Sequence, residues 1–135
     1  MTDQALRTPL SKMQGHLFEL SGLKGYDSQI FIETFMKSQI AKGLDSDFDF
    51  MQWAGKEYIM ERMEEEYPQG CVKGGTVYDG EVLYWIGYFY RYWHFLTGES
   101  SQTIYNIADA STMNYTYLGF HTLDVKDAID RLRGV

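Results

Sequence analysis

The chain has 135 residues and a formal net charge of −7, with 19 Asp and Glu against 12 Lys and Arg. Its length fits one folded domain, and the aromatic fraction of 16% argues against intrinsic disorder. The acidic excess argues against direct nucleic-acid binding, because proteins that bind nucleic acids contact the phosphates through Lys and Arg. An acidic surface is instead typical of a well-solvated protein or of one with a basic partner.

The sequence carries no feature of a secreted or membrane-spanning protein. Its first residues, MTDQALRTPLSK, lack the apolar core of a signal peptide, and Cys71 has no second cysteine with which to form a disulfide. The most apolar segment, 82–96, is shorter than the roughly 20 residues of a membrane span and contains Arg91 and His94. We therefore expect a cytoplasmic protein that does not associate with membranes.

Residue spacing predicts two helices in the first third of the chain. Thr8-Pro9 pairs a capping residue with a proline at the first helical position, so a helix is predicted from there to about Leu20. Asp27 is expected to cap a second helix, which is predicted to end at Gly43. Apolar residues between these caps recur at helical spacing.

The middle of the chain is predicted to contain one helix and one segment of a different kind. Asp45 or Ser46 is expected to cap a third helix, which Pro68 ends. The acidic run that closes this helix, ERMEEE, is predicted to face solvent. Residues 71–78 contain a Gly-Gly pair and fit either a small hairpin or a mobile loop.

A long aromatic helix is predicted for 80–97, between a cap at Asp79 and a terminating Gly98. Three shorter helices are predicted after it, at about 101–107, 111–118 and 124–133. The whole chain, 1–135, is thus predicted to form one all-α domain, a compact globule of about six or seven helices around the central aromatic helix.

Polar residues interrupt the central helix at regular intervals. Its sequence over 82–96 reads VLYWIGYFYRYWHFL, and only Gly87, Arg91 and His94 break the apolar run. Since the spacing is four residues and then three, these side chains lie on one face of the helix and form a narrow polar stripe.

Two interpretations of this stripe are open from the sequence. In the structural interpretation, Arg91 pairs with a buried carboxylate, His94 donates to a carbonyl group, and Gly87 lets a neighbouring helix approach closely. In the functional interpretation, Arg91 and His94 line a cleft together with tyrosine hydroxyls such as that of Tyr88. Aromatic rings beside an arginine would then anchor a protein partner or stack on a flat ligand.

Glu99 and His121 are two further residues that could take part in catalysis or binding. A glutamate together with two histidines suits general acid–base catalysis or a metal site. However, the sequence contains no HExxH motif, no glycine-rich phosphate loop after a strand and no nucleophile elbow. No catalytic residue, metal ligand or cofactor is therefore assigned.

Five short segments of the second half resemble a known family. They are YWIGYFYRYWH at 84–94, TGESS at 97–101, IY at 104–105, YLGFHTLD at 117–124 and AID at 128–130. They are similar to the motifs YRYWH, ESS and HTLD of a family of small proteins from Firmicutes and their mobile elements. The resemblance covers 84–130 and is looser upstream. Members tend to be encoded near small proteins with an ADP-ribosyltransferase-like fold, an arrangement that resembles a toxin–antitoxin or phage-defence cassette.

This resemblance implies an antitoxin-like protein that binds an ADP-ribosyltransferase-like partner from the same operon. We therefore predict a non-enzymatic protein-binding module. The predicted contact residues belong to the polar stripe, follow it closely, or carry aromatic rings expected at the surface: Arg91, His94, Glu99, Tyr88, Tyr105, Tyr117 and His121. The surplus of aromatic residues is also compatible with a homodimer.

Two other functions are open from the sequence. A phage or mobile-element inhibitor would use an acidic surface to occupy a nucleic-acid-binding site on its target. The acids of that surface would be Asp45, Asp47, Asp49 and those of 61–66. A small enzyme would instead need four side chains in one pocket, namely His94, His121, Glu99 and Arg91.

Overall fold

The computed structural model describes residues 2–46 and 54–134 of the chain, with side chains from Arg7 onward. Within these ranges the chain forms eight α-helices and a short 3-10 helix at Pro68–Gly70, and it forms no β-strand. The α-helices are α1 (Thr2–Leu23), α2 (Ser28–Met36), α3 (Gln39–Leu44), α4 (Lys56–Glu66), α5 (Gly80–Thr97), α6 (Ser101–Ile107), α7 (Ala110–Phe120) and α8 (Val125–Leu132). The all-α prediction is confirmed, although the expected six or seven helices fall short of the eight described.

The helix predicted between Asp27 and Gly43 is divided into α2 and α3, so the prediction of one continuous helix is wrong. Ser38 lies at the division. Its hydroxyl accepts a hydrogen bond from the Ala41 amide (3.1 Å) and donates one to the Phe35 carbonyl (2.7 Å). A serine side chain that satisfies backbone groups in this way ends one helix and caps the next.

The other helix bounds agree with the predictions to different degrees. Helix α1 begins at Thr2, so Pro9 lies inside it and the predicted start was wrong. A proline inside a helix removes one hydrogen bond and its ring crowds the preceding turn, whereas the preceding Ala-Leu-Arg sequence favours helix formation. Helices α5 and α6 have the predicted bounds, and α7 and α8 differ from them by one or two residues.

Asp45, one of the two caps predicted for the third helix, has another role. Asp45 is the C-cap of α3, and α4 begins only at Lys56. The intervening segment 47–53, with the predicted acids Asp47 and Asp49, lies outside the described residues.

Residues 71–78 do not form a hairpin, which was one of the two alternatives predicted for them. They bond instead to the start of α2. The Ser28 amide donates to the Thr76 carbonyl (2.9 Å), and the Asp27 carboxylate accepts from the Thr76 amide (3.1 Å). A side chain at Gly75 would overlap that carboxylate, so glycine is needed for this close approach.

Helix α5 lies at the centre of the core, as predicted, and contacts α1, α6, α7 and α8. Phe18 of α1 meets Phe31 and Phe35 edge-on, with ring centroids 6.0 and 5.5 Å apart, and meets Tyr90 of α5 at 6.3 Å. Aromatic pairs in this geometry stabilise a core beyond the area they bury. None of the described helices combines the length and the apolar character that a membrane span requires.

Candidate functional site

The polar stripe of α5 begins where this helix touches α1. Gly87 is buried, and a Cβ atom there would overlap the Gln14 carbonyl oxygen and lie 2.9 Å from the Cα of Gly15. The Gln14 side chain donates to the Gly87 carbonyl across the same contact (3.1 Å from Nε2 to O). The structural interpretation of Gly87, close approach of a neighbouring helix, is confirmed.

Arg91 lies inside the protein, with 1% of its surface exposed. Its Nη1 donates to Asp45 Oδ1 (2.7 Å), its Nε to Gln14 Oε1 (2.9 Å) and its Nη2 to Ser101 Oγ (3.2 Å). Burial lowers the pKa of Arg91, and the adjacent Asp45 carboxylate opposes that shift. Arg91 therefore pairs with a largely buried carboxylate, as the structural interpretation predicted, and presents no surface to a partner.

Asp45 also ties the start of α6 to this ion pair. Its Oδ2 accepts from the Ser101 amide (2.8 Å), and its Oδ1 accepts from the Ser101 hydroxyl (2.7 Å). The first amides of a helix lack partners within the helix, so a carboxylate is favoured there. Gln14, Asp45, Arg91 and Ser101 thus form one buried polar network, the Arg91 network, which connects α1, α3, α5 and α6.

His94 lies beside the Arg91 network. Its Nδ1 donates to the Glu99 carbonyl (2.7 Å), because a carbonyl oxygen can only accept. The same nitrogen is 3.7 Å from Asp45 Oδ1, and 12% of the His94 side chain is exposed. The bond to a carbonyl agrees with the structural interpretation, and the low exposure leaves little of His94 for a partner.

Glu99 connects the end of α5 to α8. Its carboxylate accepts from Trp93 Nε1 (2.8 Å) and pairs with Arg133, whose guanidinium lies 5.6 Å from the centre of the Trp93 ring. Burial alone would raise the pKa of Glu99, but hydrogen bonds from Trp93, Arg133 and Thr97 outweigh it and hold the pKa below its ordinary value. The carboxylate therefore contributes to the packing of the last helix.

Tyr88 and Tyr105, both predicted as contact residues, differ in exposure. Tyr105 is buried, with 7% exposed, and burial raises its pKa to about 12. The expectation that its ring lies at the surface is wrong, because α6 packs that ring against Tyr90 of α5, at 6.5 Å. Tyr88 is half-buried and stacks on Tyr92 at 5.8 Å, so part of it remains accessible.

Tyr117 and His121 lie on the side of α5 opposite to His94. Tyr117 meets Trp85 edge-on at 5.5 Å, and the exposed His121 ring stacks on Tyr117 at 4.3 Å. Nine positions separate Trp85 from His94, which corresponds to about 13.5 Å along α5 and half a turn around it. The two histidines share no hydrogen bond or ring contact among the described side chains.

The most exposed apolar surface lies on α7, and sequence reasoning missed it. Tyr115 is 88% exposed and Leu118 is 82% exposed. Ser111 is also exposed and lies four residues before Tyr115, on the same face of the helix. We call Ser111, Tyr115 and Leu118 the α7 stripe. The available sequence signal was an uncharged run, since 110–123 contains no Asp, Glu, Lys or Arg.

The acidic run of α4 is partly neutralised by neighbouring side chains. Glu64 bonds to Lys24 Nζ (2.8 Å) and to the Tyr26 hydroxyl, and these hydrogen bonds lower its pKa. Glu66 pairs with Arg62 of the same helix. With Asp45 in the Arg91 network, the acids proposed as a nucleic-acid mimic do not all face solvent.

A polar cleft of about 250 Å³ lies between the α2–α3 turn and the start of α6. Its walls include Lys37, Lys42, Asp45 and Ser100. The Asp45 carboxylate is already engaged by the Arg91 network, and none of the predicted contact residues lines this cleft.

In the part of the chain with described side chains, no group of three His, Cys, Asp or Glu residues is placed to hold a metal ion. Comparison of the chain with protein-family models, curated proteins and solved structures finds no match. The candidate site is therefore defined by the geometry of this chain itself. Its outer feature is the α7 stripe, and its inner feature is the Arg91 network that fixes the scaffold.

Proposed function

We propose that the protein is a non-enzymatic binding module that restrains an ADP-ribosyltransferase-like protein through the α7 stripe. The observation that carries the proposal is the exposure of Tyr115 and Leu118 on an uncharged helix face. Removing neighbouring apolar side chains of this size from water on binding a partner is favourable in free energy.

The spacing of the α7 stripe suits recognition of a helix by a groove. Ser111, Tyr115 and Leu118 follow each other at intervals of four and three residues, which keeps them on one face of α7. Helices that bind in grooves present their anchors at such intervals, and tyrosine is enriched among the residues that dominate binding energy.

The class of the partner comes from the family resemblance. The YLGFHTLD motif at 117–124 begins within α7 and contains Leu118 of the stripe. It also contains Tyr117 and His121, whose stacked rings extend the contact area beside the stripe. Restraint of a partner by binding alone requires no catalytic group of this chain.

The other predicted contact residues have a supporting role in this proposal. The Arg91 network holds α1, α3, α5 and α6 together, and Glu99 fastens α8 to α5. Both groups keep α5 in position, and α7 packs on α5 through Tyr117 and Trp85. They contribute to binding by fixing the scaffold.

The test is co-expression with a candidate ADP-ribosyltransferase-like partner, the class that the family resemblance implies, with growth of the host cells as readout. Wild type is expected to restore growth and Leu118→Asp to fail. Leu23→Asp is the matched control, because Leu23 is 81% exposed but lies at the end of α1, and it is expected to restore growth. Restoration by Leu118→Asp would exclude the α7 stripe, and failure of wild type would exclude this partner class.

A further inference from the structure

We infer that the polar cleft between the α2–α3 turn and the start of α6 binds a small phosphate monoester that carries hydroxyl groups, held by Lys37 and Lys42. The cleft has a volume of about 250 Å³ and shares no residue with the α7 stripe. Binding of a ligand there therefore does not depend on the proposed function.

The break at Ser38 brings the two lysines to one cleft. Lys37 is the C-cap of α2 and Lys42 lies in α3, five positions further along the chain. In one continuous helix, residues five positions apart point about 140° away from each other, so their side chains would lie on different faces. Because the chain turns at Ser38, both lysines line the same cleft, together with Gln102 of α6.

The net charge of the cleft lining is positive. Asp45 is the only acid among the described residues that line the cleft. Its carboxylate is 12% exposed and is compensated from inside the protein by Arg91, whose Nη1 is 2.7 Å away. The two lysines are thus the charges that face the cleft. In a chain of net charge −7, such a grouping of cations runs against the average surface and favours an anionic ligand.

Lys42 is the more available of the two cations. It is exposed, and none of the described residues forms an ion pair or hydrogen bond with its side chain. Lys37 is held by Glu33, 2.8 Å from its Nζ, and by the Tyr105 ring of α6, whose centre is 5.5 Å away. An ammonium group has three donors and an exposed ion pair is weak, so Lys37 can also donate to a phosphate oxygen.

The uncharged groups of the cleft suit the organic part of such a ligand. Gln39 and Gln102 are exposed residues of its walls, and each side-chain amide offers donors and an acceptor to hydroxyl groups. Met36 is the only apolar residue among the described ones of the lining, which argues against an apolar ligand. The volume lies below the roughly 300–1,000 Å³ of sites for drug-sized molecules, so the ligand is small.

The experiment is a titration of the isotope-labelled full chain with glucose 6-phosphate, followed by two-dimensional NMR at constant pH and ionic strength. We expect saturable shifts of the amide resonances at the α2–α3 turn and at the start of α6. Lys42→Gln should raise the dissociation constant at least about tenfold, as expected when one charge-assisted hydrogen bond is lost. The spectrum of the free variant shows that it is folded.

Lys73→Gln is the matched control, because it removes the same charge from another exposed lysine. Lys73 lies beside Tyr26, before the start of α2, whereas the cleft lies at the end of that helix. This variant should bind as wild type does. An equal loss of affinity in Lys42→Gln and Lys73→Gln would mean that binding follows net charge alone, and it would overturn the inference.

Inorganic phosphate and glucose test the two parts of the ligand separately. Each should bind more weakly than glucose 6-phosphate, because each supplies only the anion or only the hydroxyl groups. Two further results would overturn the inference: the absence of saturable shifts with glucose 6-phosphate, or equal affinity for either of the smaller probes. These results are read from the chain alone and are separate from the growth assay, which reports on the proposed partner.

Discussion

Arg91 and Asp45 form an ion pair with 2.7 Å between Nη1 and Oδ1, although 46 residues separate them in the sequence. Removing one member of such a pair leaves an uncompensated charge inside the protein. We expect Asp45→Asn to lower the free energy of unfolding by about 3 kcal/mol. Urea denaturation followed by circular dichroism measures the change.

The control for this prediction is an ion pair at the surface. Glu33 and Lys37 are 2.8 Å apart on α2 and its C-cap, with side chains 50% and 41% exposed. Solvent screens such a pair, so Glu33→Gln should cost less than about 0.5 kcal/mol. Equal losses for the two variants would contradict the structural role of the Arg91 network.

Substitution of Gly87 tests the contact between α1 and α5. A methyl group there would overlap backbone atoms of Gln14, which cannot rotate away as a side chain can. We expect Gly87→Ala to destabilise the protein by about 2–3 kcal/mol, as overpacking of a core does. Thermal unfolding would show this loss as a lower midpoint.

Gly119→Ala is the matched control, and we expect it to change stability in the opposite direction. Gly119 is also helical, but nothing lies within 4 Å of its Cβ position. Alanine should therefore stabilise α7 by about 0.5–1 kcal/mol through its higher helix propensity. A change of the same sign in both variants would refute the assignment of Gly87 to a tight contact.

Glu99 should contribute to the pH dependence of stability. Its pKa in the folded protein lies below the ordinary value of 4.5, so the unfolded chain takes up the proton first. The stabilisation is therefore complete above about pH 4.5 and is lost as the pH falls through the folded pKa. We expect Glu99→Gln to reduce the difference between urea midpoints measured at neutral and acid pH.

Glu65→Gln is the matched control for the loss of stability at acid pH, because Glu65 is exposed on α4 and has no described partner. It should keep the wild-type difference between the two midpoints. If Glu99→Gln also keeps that difference, the bonds from Trp93 and Arg133 do not stabilise the charged carboxylate.

Cys71 is expected to react slowly with alkylating reagents. Burial and the nearby Glu64 carboxylate raise its pKa from 9.0 to about 11, which reduces the fraction of reactive thiolate. The greater nucleophilicity of a more basic thiolate offsets part of this loss. The rate with iodoacetamide should therefore be at least about tenfold lower than in the urea-unfolded chain.

The contribution of Glu64 to this reactivity can be separated from burial. Glu64→Gln removes the negative charge near Cys71 and should raise the alkylation rate of the folded protein. Equal rates in the folded and unfolded wild type would show that the thiol is not protected.

Features with local causes could be predicted from the sequence. The bounds of α5 and α6 follow from short-range signals: Gly98 adopts a left-handed conformation (φ +78°), and the Ser100 hydroxyl accepts from the Thr103 amide. The polar stripe also follows from spacing within one helix, and the structural interpretation of Gly87, Arg91 and His94 is confirmed.

Features that depend on distant contacts could not be predicted. Asp45 is a residue type that often caps helices, so the sequence predicts a local role for it. Its pairing with Arg91 depends instead on the break at Ser38 and on the packing of α3. The exposure of Tyr115 and Leu118 could not be predicted either, because apolar residues occur on all sides of α7 and the sequence alone does not show which side is buried. Packing of Met113 into the core selects the face that remains outside.

The most direct test of the proposed function is calorimetric titration of a candidate ADP-ribosyltransferase-like partner, the class that the family resemblance implies, with purified wild type, Leu118→Asp and Leu23→Asp. We predict saturable binding by wild type and Leu23→Asp, and at least a tenfold weaker affinity for Leu118→Asp, as expected for loss of an anchor residue. Equal affinity of all three proteins, or no binding by wild type, would contradict a binding module that acts through the α7 stripe.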